Sequence, residues 1–179
     1  MTDFTNIEYL RNGNKRQIHA FEVLTQNKIL LNLSEFEPIL VGTIPINIDI
    51  ENSDLDIICY WNDKTNFIEK LKAIFENQSE FRIRETLIEN EETVVANFKI
   101  DDFEIEVFGQ NIPTSNQNGY KHMIIEHQIL KIKGENFRLE IIKLKQNGYK
   151  TEPTFAYLLG LNGNPYSKLL EYKIQTSYS

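Results

Sequence analysis

A short apolar strand that ends at a glycine, and the two aspartates that open the next strand, most constrain how this chain folds. The Gly42-Thr43 pair ends the first apolar run, and Asp54 stands eleven residues after Thr43. Because side chains alternate along a strand, Asp54 and Asp56 share one face while Leu55 points to the other. Mg²⁺ takes oxygen ligands and is usually bound by one or two carboxylates. The run therefore predicts a metal site on one face of a sheet.

The Gly42-Thr43 pair adds a means of holding phosphate beside that metal site. Glycine permits a close approach of the backbone with free N–H groups, and Thr43 contributes a hydroxyl. An ordinary turn residue at a strand end is the alternative interpretation of Thr43. The pair predicts a phosphate-binding turn.

A second strand pattern, FEIEVF, supplies further carboxylates. Glu104 and Glu106 alternate with apolar residues, so both point the same way. If this strand lies beside the one that Asp54 opens and in register with it, all four carboxylates share a face. The alternative is the solvated face of an edge strand, and which glutamate completes the metal site stays open.

These residues carry a resemblance to a known superfamily. Gly-(Ser/Thr), a loop and (Ser)-Asp-x-Asp before an apolar strand resemble the signature of the DNA polymerase β-like nucleotidyltransferases. More closely, LVGTIPINIDIENSDLDIICY, FEIEVFGQ and EIIKLKQNGYKTEP resemble a family of small bacterial nucleotidyltransferase-like proteins of uncharacterised function. This resemblance covers roughly residues 6–172. It implies an α+β fold with a mixed sheet.

The resemblance also implies an activity and its residues. Asp54, Asp56 and one of Glu104 and Glu106 would bind Mg²⁺ or Mn²⁺ and act in catalysis, as ligands or as the base. Gly42, Thr43 and Ser53 would contact the phosphates of an NTP.

The implied reaction moves a nucleoside monophosphate from the NTP to an acceptor and releases pyrophosphate. The alternative is a noncatalytic module that keeps the fold, as a nucleotide-binding sensor or as the partner subunit of a toxin–antitoxin-type pair. The base, the acceptor and the oligomeric state stay open.

The charge of the chain indicates which kinds of partner it can bind. A net charge of −7 argues against broad nonspecific nucleic-acid binding, so a small-molecule or protein acceptor is favoured over RNA. Six basic and two acidic residues give segment 131–150 a local charge of +4. We expect Lys143, Lys145 and Lys150 to face the carboxylates and contact the nucleotide, with a solvated helix face as the alternative.

Periodicity predicts one α+β domain over residues 1–179. Its sheet of about five strands spans 36–110 and its helical C-terminal part spans 119–172. Helices are also expected over 14–31, after Asn12-Gly13, and over 65–76, with a cap from Asn62-Asp63. The alternating isoleucines of the loop 43–53 leave open an extension of the sheet at its edge.

Other functional classes find no support in the sequence. It contains no GxxxxGK[ST], GxGxxG, HExxH, CxxC or GxSxG motif. His122 and His127 stand five residues apart and do not share a helix face, so they are not predicted to be a metal pair. Cys59 is expected to be a buried, inert thiol. No segment approaches the ~20 apolar residues of a membrane span, and no leader pattern is present, so we expect a cytoplasmic protein without membrane partners.

Overall fold

A mixed five-stranded sheet forms the centre of the protein in the computed structural model, which describes residues 2–173. The strands are β1 (Ile39–Val41), β2 (Leu55–Tyr60), β3 (Ser79–Ile88), β4 (Glu91–Ile100) and β5 (Phe103–Gln110). They lie in the order β1-β2-β5-β4-β3. The β2–β5 pair is parallel, and the other three neighbouring pairs are antiparallel. The predicted α+β class and mixed sheet are confirmed.

Seven helices flank the sheet in the described part of the chain. They are α1 (Lys15–Gln26), α2 (Ile29–Asn32), α3 (Lys64–Phe75), α4 (Asn118–Lys133), α5 (Glu135–Gln146), α6 (Thr151–Leu159) and α7 (Pro165–Leu170). As predicted, Asp63 caps α3, because its side chain accepts hydrogen bonds from the N–H groups of Thr65 and Asn66.

The helix predicted over residues 14–31 is divided in two. Lys28 has a φ of 53°, a left-handed conformation that separates α1 from α2. Leu31 of α2 is 67% exposed, while Ala20 and Leu24 of α1 are buried. Both the small Ala20 and the larger Leu24 belong to the core cluster on one side of the sheet.

The two faces of the sheet bury separate hydrophobic clusters. Leu55, Ile57 and Cys59 of β2 pack with α1 and α3 on one side. Ile58 of β2 packs on the other side with the C-terminal helices. Asp56 lies two residues before Ile58 and therefore shares its face. Alternation along β2 thus directs this carboxylate toward the helices α4 to α6.

The segment 42–54, which joins β1 to β2, contains turns and no strand. Three of its four alternating isoleucines are buried, with Ile44 in one core cluster and Ile46 and Ile48 in the other. The predicted alternative of an edge extension is therefore wrong, because the segment passes from one face of the sheet to the other. Arg138 of α5 holds it through a hydrogen bond from Nη1 to the carbonyl oxygen of Asn47, at 2.8 Å.

No helix within residues 2–173 is long and apolar enough to cross a lipid bilayer. Cys59 is fully buried, and this burial raises the pKa of its thiol. The expectation of a buried thiol at this position is confirmed.

Candidate active site

A cleft of about 410 Å³ opens between the sheet and the C-terminal helices. Strands β2 and β5 supply one wall, and helices α4, α5 and α6 supply the other. The segment 42–54 contributes to its rim. Both halves of the chain are therefore needed to form the cleft.

Three of the four predicted carboxylates line this cleft, namely Asp54, Asp56 and Glu106. Asp56 stands opposite Glu106 in the register of the parallel β2–β5 pair, so their side chains share a face. Glu104 is exposed and lies outside the cleft lining, paired with Lys99 in the β4–β5 register. The structure brings Glu106 to the two aspartates and leaves Glu104 apart.

The carboxylate of Glu106 is held by a polar side chain of the neighbouring strand β4, which in turn contacts an arginine of β3. Asn97 Nδ2 donates to Glu106 Oε2 at 3.1 Å, and Arg84 Nη1 donates to Asn97 Oδ1 at 3.1 Å. Arg84 Nη2 also lies 4.0 Å from Glu106 Oε2. Sequence reasoning missed Asn97, although an asparagine within the apolar strand TVVANFKI breaks the expected pattern.

Asp56 is the carboxylate most affected by its surroundings. Burial raises the pKa of Asp56 to about 8, and the charges of Asp54 and Glu106 act in the same direction. The charge of Glu152 adds to this effect, while Lys145 opposes it. Because a nearby cation favours the charged form of a carboxyl group, this environment favours cation binding.

We expect the metal-free protein to become less stable as the pH rises from about 4, where an unfolded aspartate titrates, to about 8. In this window the folded state binds more protons than the unfolded state, because the pKa of Asp56 is raised on folding. The free energy of unfolding therefore falls with rising pH, by up to about 5 kcal/mol.

Urea unfolding in EDTA at a series of pH values measures this decline. The Asp56→Asn variant has no group to titrate at that position, so its free energy of unfolding should depend less steeply on pH. Identical pH profiles for the wild type and the variant would contradict the expectation.

Gly42 occupies a position that favours glycine for two reasons. Its φ is +83°, which side chains rarely adopt, and a Cβ there would lie 2.5 Å from Asp56 Oδ2. Val41 pairs with Asp56 in the β1–β2 register, which places the turn beside this carboxylate. The backbone at Gly42 therefore approaches Asp56 closely.

Two hydroxyl groups lie at the same end of the cleft. Thr43 Oγ1 donates to Ser53 Oγ at 3.2 Å, and Ser53 Oγ accepts from the N–H of Ile50 at 2.9 Å. Arg16 Nη2 donates to the carbonyl oxygen of Ser53 at 2.6 Å. Thr43 and Ser53 both line the cleft with Asp54. The hydrogen bond between Thr43 and Ser53 thereby joins the two ends of segment 42–54 next to Asp54.

Of the three predicted lysines, only Lys145 lines the cleft; Lys143 and Lys150 are exposed and lie outside its lining. Residues two apart on a helix point in nearly opposite directions, so Lys143 and Lys145 cannot both face the cleft. Lys145 Nζ donates to the carbonyl oxygen of Ile48 at 2.7 Å. Burial lowers the pKa of Lys145 to about 8.

Sequence reasoning missed three residues of the helical wall, namely His122, Glu126 and Glu152. His122 and Glu126 stand four residues apart on α4 and therefore share a face. The signal was a glutamate within the apolar run HMIIEHQIL. His127 lies outside the cleft lining and packs against Phe4, with ring centroids 4.9 Å apart.

Comparison with solved structures shows the same fold in larger proteins. The Cid1 poly(U) polymerase, in a structure with magnesium and 3′-dATP, gives a TM-score of 0.54 at 13% identity, covering 88% of this chain and 48% of that chain. The polymerase core of TRAMP gives 0.51 at 13% identity, with 91% and 50% covered. The GLD-2/RNP-8 complex gives 0.51 at 12% identity, with 85% and 57% covered.

This chain thus spans about half the length of the structures it matches. At these identities the likeness concerns the fold, and it confirms the nucleotidyltransferase-like fold implied by the sequence. No curated protein matches the sequence. The family profile described as a domain of unknown function, DUF4269, matches residues 22–172, so the chain belongs to that family.

Proposed function

We propose that the protein is a metal-dependent nucleotidyltransferase, which moves a nucleoside monophosphate from an NTP to an acceptor. The observation that carries this proposal is the convergence of Asp54, Asp56 and Glu106 on one wall of a single cleft. The Gly42-Thr43 turn and Lys145 line the same cleft. The residues proposed to bind the metal and those proposed to contact the phosphates therefore line one cleft.

The three carboxylates suit Mg²⁺ or Mn²⁺. The donor set consists of oxygen atoms, which these hard cations prefer, and the raised pKa of Asp56 indicates that its negative charge is incompletely balanced. Asp54, Asp56 and Glu106 would hold the metal, which when bound supplies charge to neutralise the phosphates and orient the displacement.

The remaining residues have separate roles in binding the NTP. The backbone at Gly42 and the hydroxyls of Thr43 and Ser53 would donate hydrogen bonds to phosphate oxygens. With a pKa of about 8, Lys145 is mostly protonated at neutral pH and would add positive charge. Its hydrogen bond to Ile48 keeps the ammonium group at the cleft.

In the transfer step, an oxygen of the acceptor forms a bond to the α-phosphorus of the NTP. The bond from that phosphorus to the bridging oxygen breaks, and its electron pair leaves with pyrophosphate. Glu106, oriented by Asn97, would take the proton from an attacking hydroxyl.

The charge of the protein is the basis for the class of acceptor that we propose. The net charge of −7 and the acidic cleft disfavour a long polyanion, so a small molecule or a protein is the better candidate. The matched Cid1 structure is a poly(U) polymerase, which makes RNA the acceptor to compare against.

The test is a screen of each NTP with Mg²⁺ or Mn²⁺, in which pyrophosphate release is measured. Intact mass reports self-modification, and a short RNA oligonucleotide serves as the comparison acceptor. Pyrophosphate release that the Asp54→Asn, Asp56→Asn double variant lacks supports the proposal. Tight NTP binding by calorimetry without release would favour the noncatalytic nucleotide-binding module, and no NTP binding would favour the partner subunit.

A further inference from the structure

Three side chains on the helical wall of the cleft lie close enough to hold a second type of metal ion. His122 and Glu126 extend from neighbouring turns of α4, and Glu152 lies in the first turn of α6. One potential ligand atom from each lies within 4.8 Å of the others. These three residues are distinct from the carboxylates proposed to bind Mg²⁺, which are Asp54, Asp56 and Glu106.

Two of the three side chains are buried with an unpartnered polar atom. Glu126 is 3% exposed, and its Oε1 has no hydrogen-bond partner among the described residues. His122 is 7% exposed, and its Nδ1 likewise has no partner there. Both residues line the cleft. A buried carboxylate is costly unless it is paired or bound to a metal, so an additional ligand would satisfy both atoms.

The charges that surround this group also favour a cation. Among the described residues that line the cleft, five are carboxylates and one is a lysine. The charge of Lys145 acts on Glu126, Asp54 and Glu152, while its ammonium donates to the carbonyl oxygen of Ile48 at 2.7 Å. One ammonium cannot balance these acidic side chains.

The donor chemistry selects the ion. Zn²⁺ binds both imidazole nitrogen and carboxylate oxygen, the two donor types present here, whereas Mg²⁺ takes oxygen ligands. We propose that His122, Glu126 and Glu152 bind Zn²⁺ on the helical wall of the cleft. Three protein ligands leave the fourth coordination position open, as in catalytic zinc sites, and here it would face the cleft.

This inference does not depend on the proposed nucleotidyltransferase activity. Segment 42–54 contains no lysine or arginine. A Zn²⁺ ion bound on the opposite wall would supply positive charge to an anionic oxygen of a ligand in the cleft. The experiment therefore measures metal binding and not turnover.

Untagged protein, first stripped with EDTA and dialysed, is titrated with Zn²⁺ in competition with a chromophoric chelator. We expect one tight site per chain. Glu126→Gln and His122→Asn should each weaken Zn²⁺ binding by at least about 100-fold, since even loss of an indirect partner can cost up to this much. Glu152→Gln, at a half-buried position, provides a further variant if the buried substitutions prevent folding.

Two controls make the result specific. Glu140→Gln removes an exposed carboxylate from α5 and should leave Zn²⁺ affinity unchanged. The Asp54→Asn, Asp56→Asn double variant should also keep the Zn²⁺ site. Absence of Zn²⁺ binding in the wild type would overturn the proposal. So would affinity that is lost in the aspartate variant and kept in folded Glu126→Gln or Glu152→Gln.

Discussion

Replacing Asp54 and Asp56 together by asparagine should abolish binding of Mg²⁺ or Mn²⁺ and lower turnover by at least about 1,000-fold. The change removes the carboxylates of Asp54, which immediately precedes β2, and of Asp56 in β2; both line the cleft, and the size of both side chains is kept. Because asparagine carries no charge that burial would disfavour, and because like charges no longer repel one another, the metal-free variant should be folded and more stable than the wild type at neutral pH.

Calorimetric titration with Mn²⁺, circular dichroism and pyrophosphate release together measure this prediction. The matched control replaces Glu22 and Glu69 by glutamine, which removes the same charge from exposed positions on α1 and α3. Wild-type metal affinity in the folded aspartate variant would remove the basis for a metal site at β2.

Glu106→Gln should lower turnover by about 10²–10⁴-fold, the usual contribution of a positioned acid or base, while Glu104→Gln should change it little. The two residues form a natural pair, since they stand two apart on the same strand and only Glu106 lines the cleft. In Glu106→Gln, the carboxylate oxygen that accepts the hydrogen bond from Asn97 Nδ2 is replaced by an amide group, so this contact changes as well.

Steady-state measurement of kcat and KM with the NTP found in the screen tests this pair, and Mn²⁺ affinity provides a readout independent of turnover. Loss of activity in Glu104→Gln with retention in Glu106→Gln would reverse the assignment. If neither substitution changes kcat, KM or Mn²⁺ affinity, the three-carboxylate mechanism fails and the binding module becomes the better interpretation.

Local patterns predicted much of the fold and part of this cleft. Alternation along a strand is independent of the rest of the chain, so it placed Asp54 and Asp56 on one face and Leu55 on the other. The Gly42-Thr43 turn was also predictable, because a glycine at a strand end indicates a backbone conformation that other residues rarely adopt.

Other features depended on tertiary structure. The choice between Glu104 and Glu106 depends on where β5 pairs with β2, which neither strand specifies alone. The joint role predicted for Lys143 and Lys145 is incompatible with helical periodicity, which does not itself say which of the two faces the cleft. Glu152 joins the helical wall only because the tertiary fold brings the first turn of α6 within reach of His122 and Glu126 on α4.

The hydrogen bonds that hold segment 42–54 also have a consequence for how the protein is made. Arg138 and Lys145 reach carbonyl oxygens that lie 91 and 97 residues earlier in the chain. Contacts between such distant residues form slowly, because a long loop must first close. During synthesis, every carboxylate of the sheet emerges from the ribosome before Arg138 and Lys145 do. A chain that ended before α5 would keep the carboxylates of the sheet but would lack the two hydrogen bonds that hold segment 42–54 beside them.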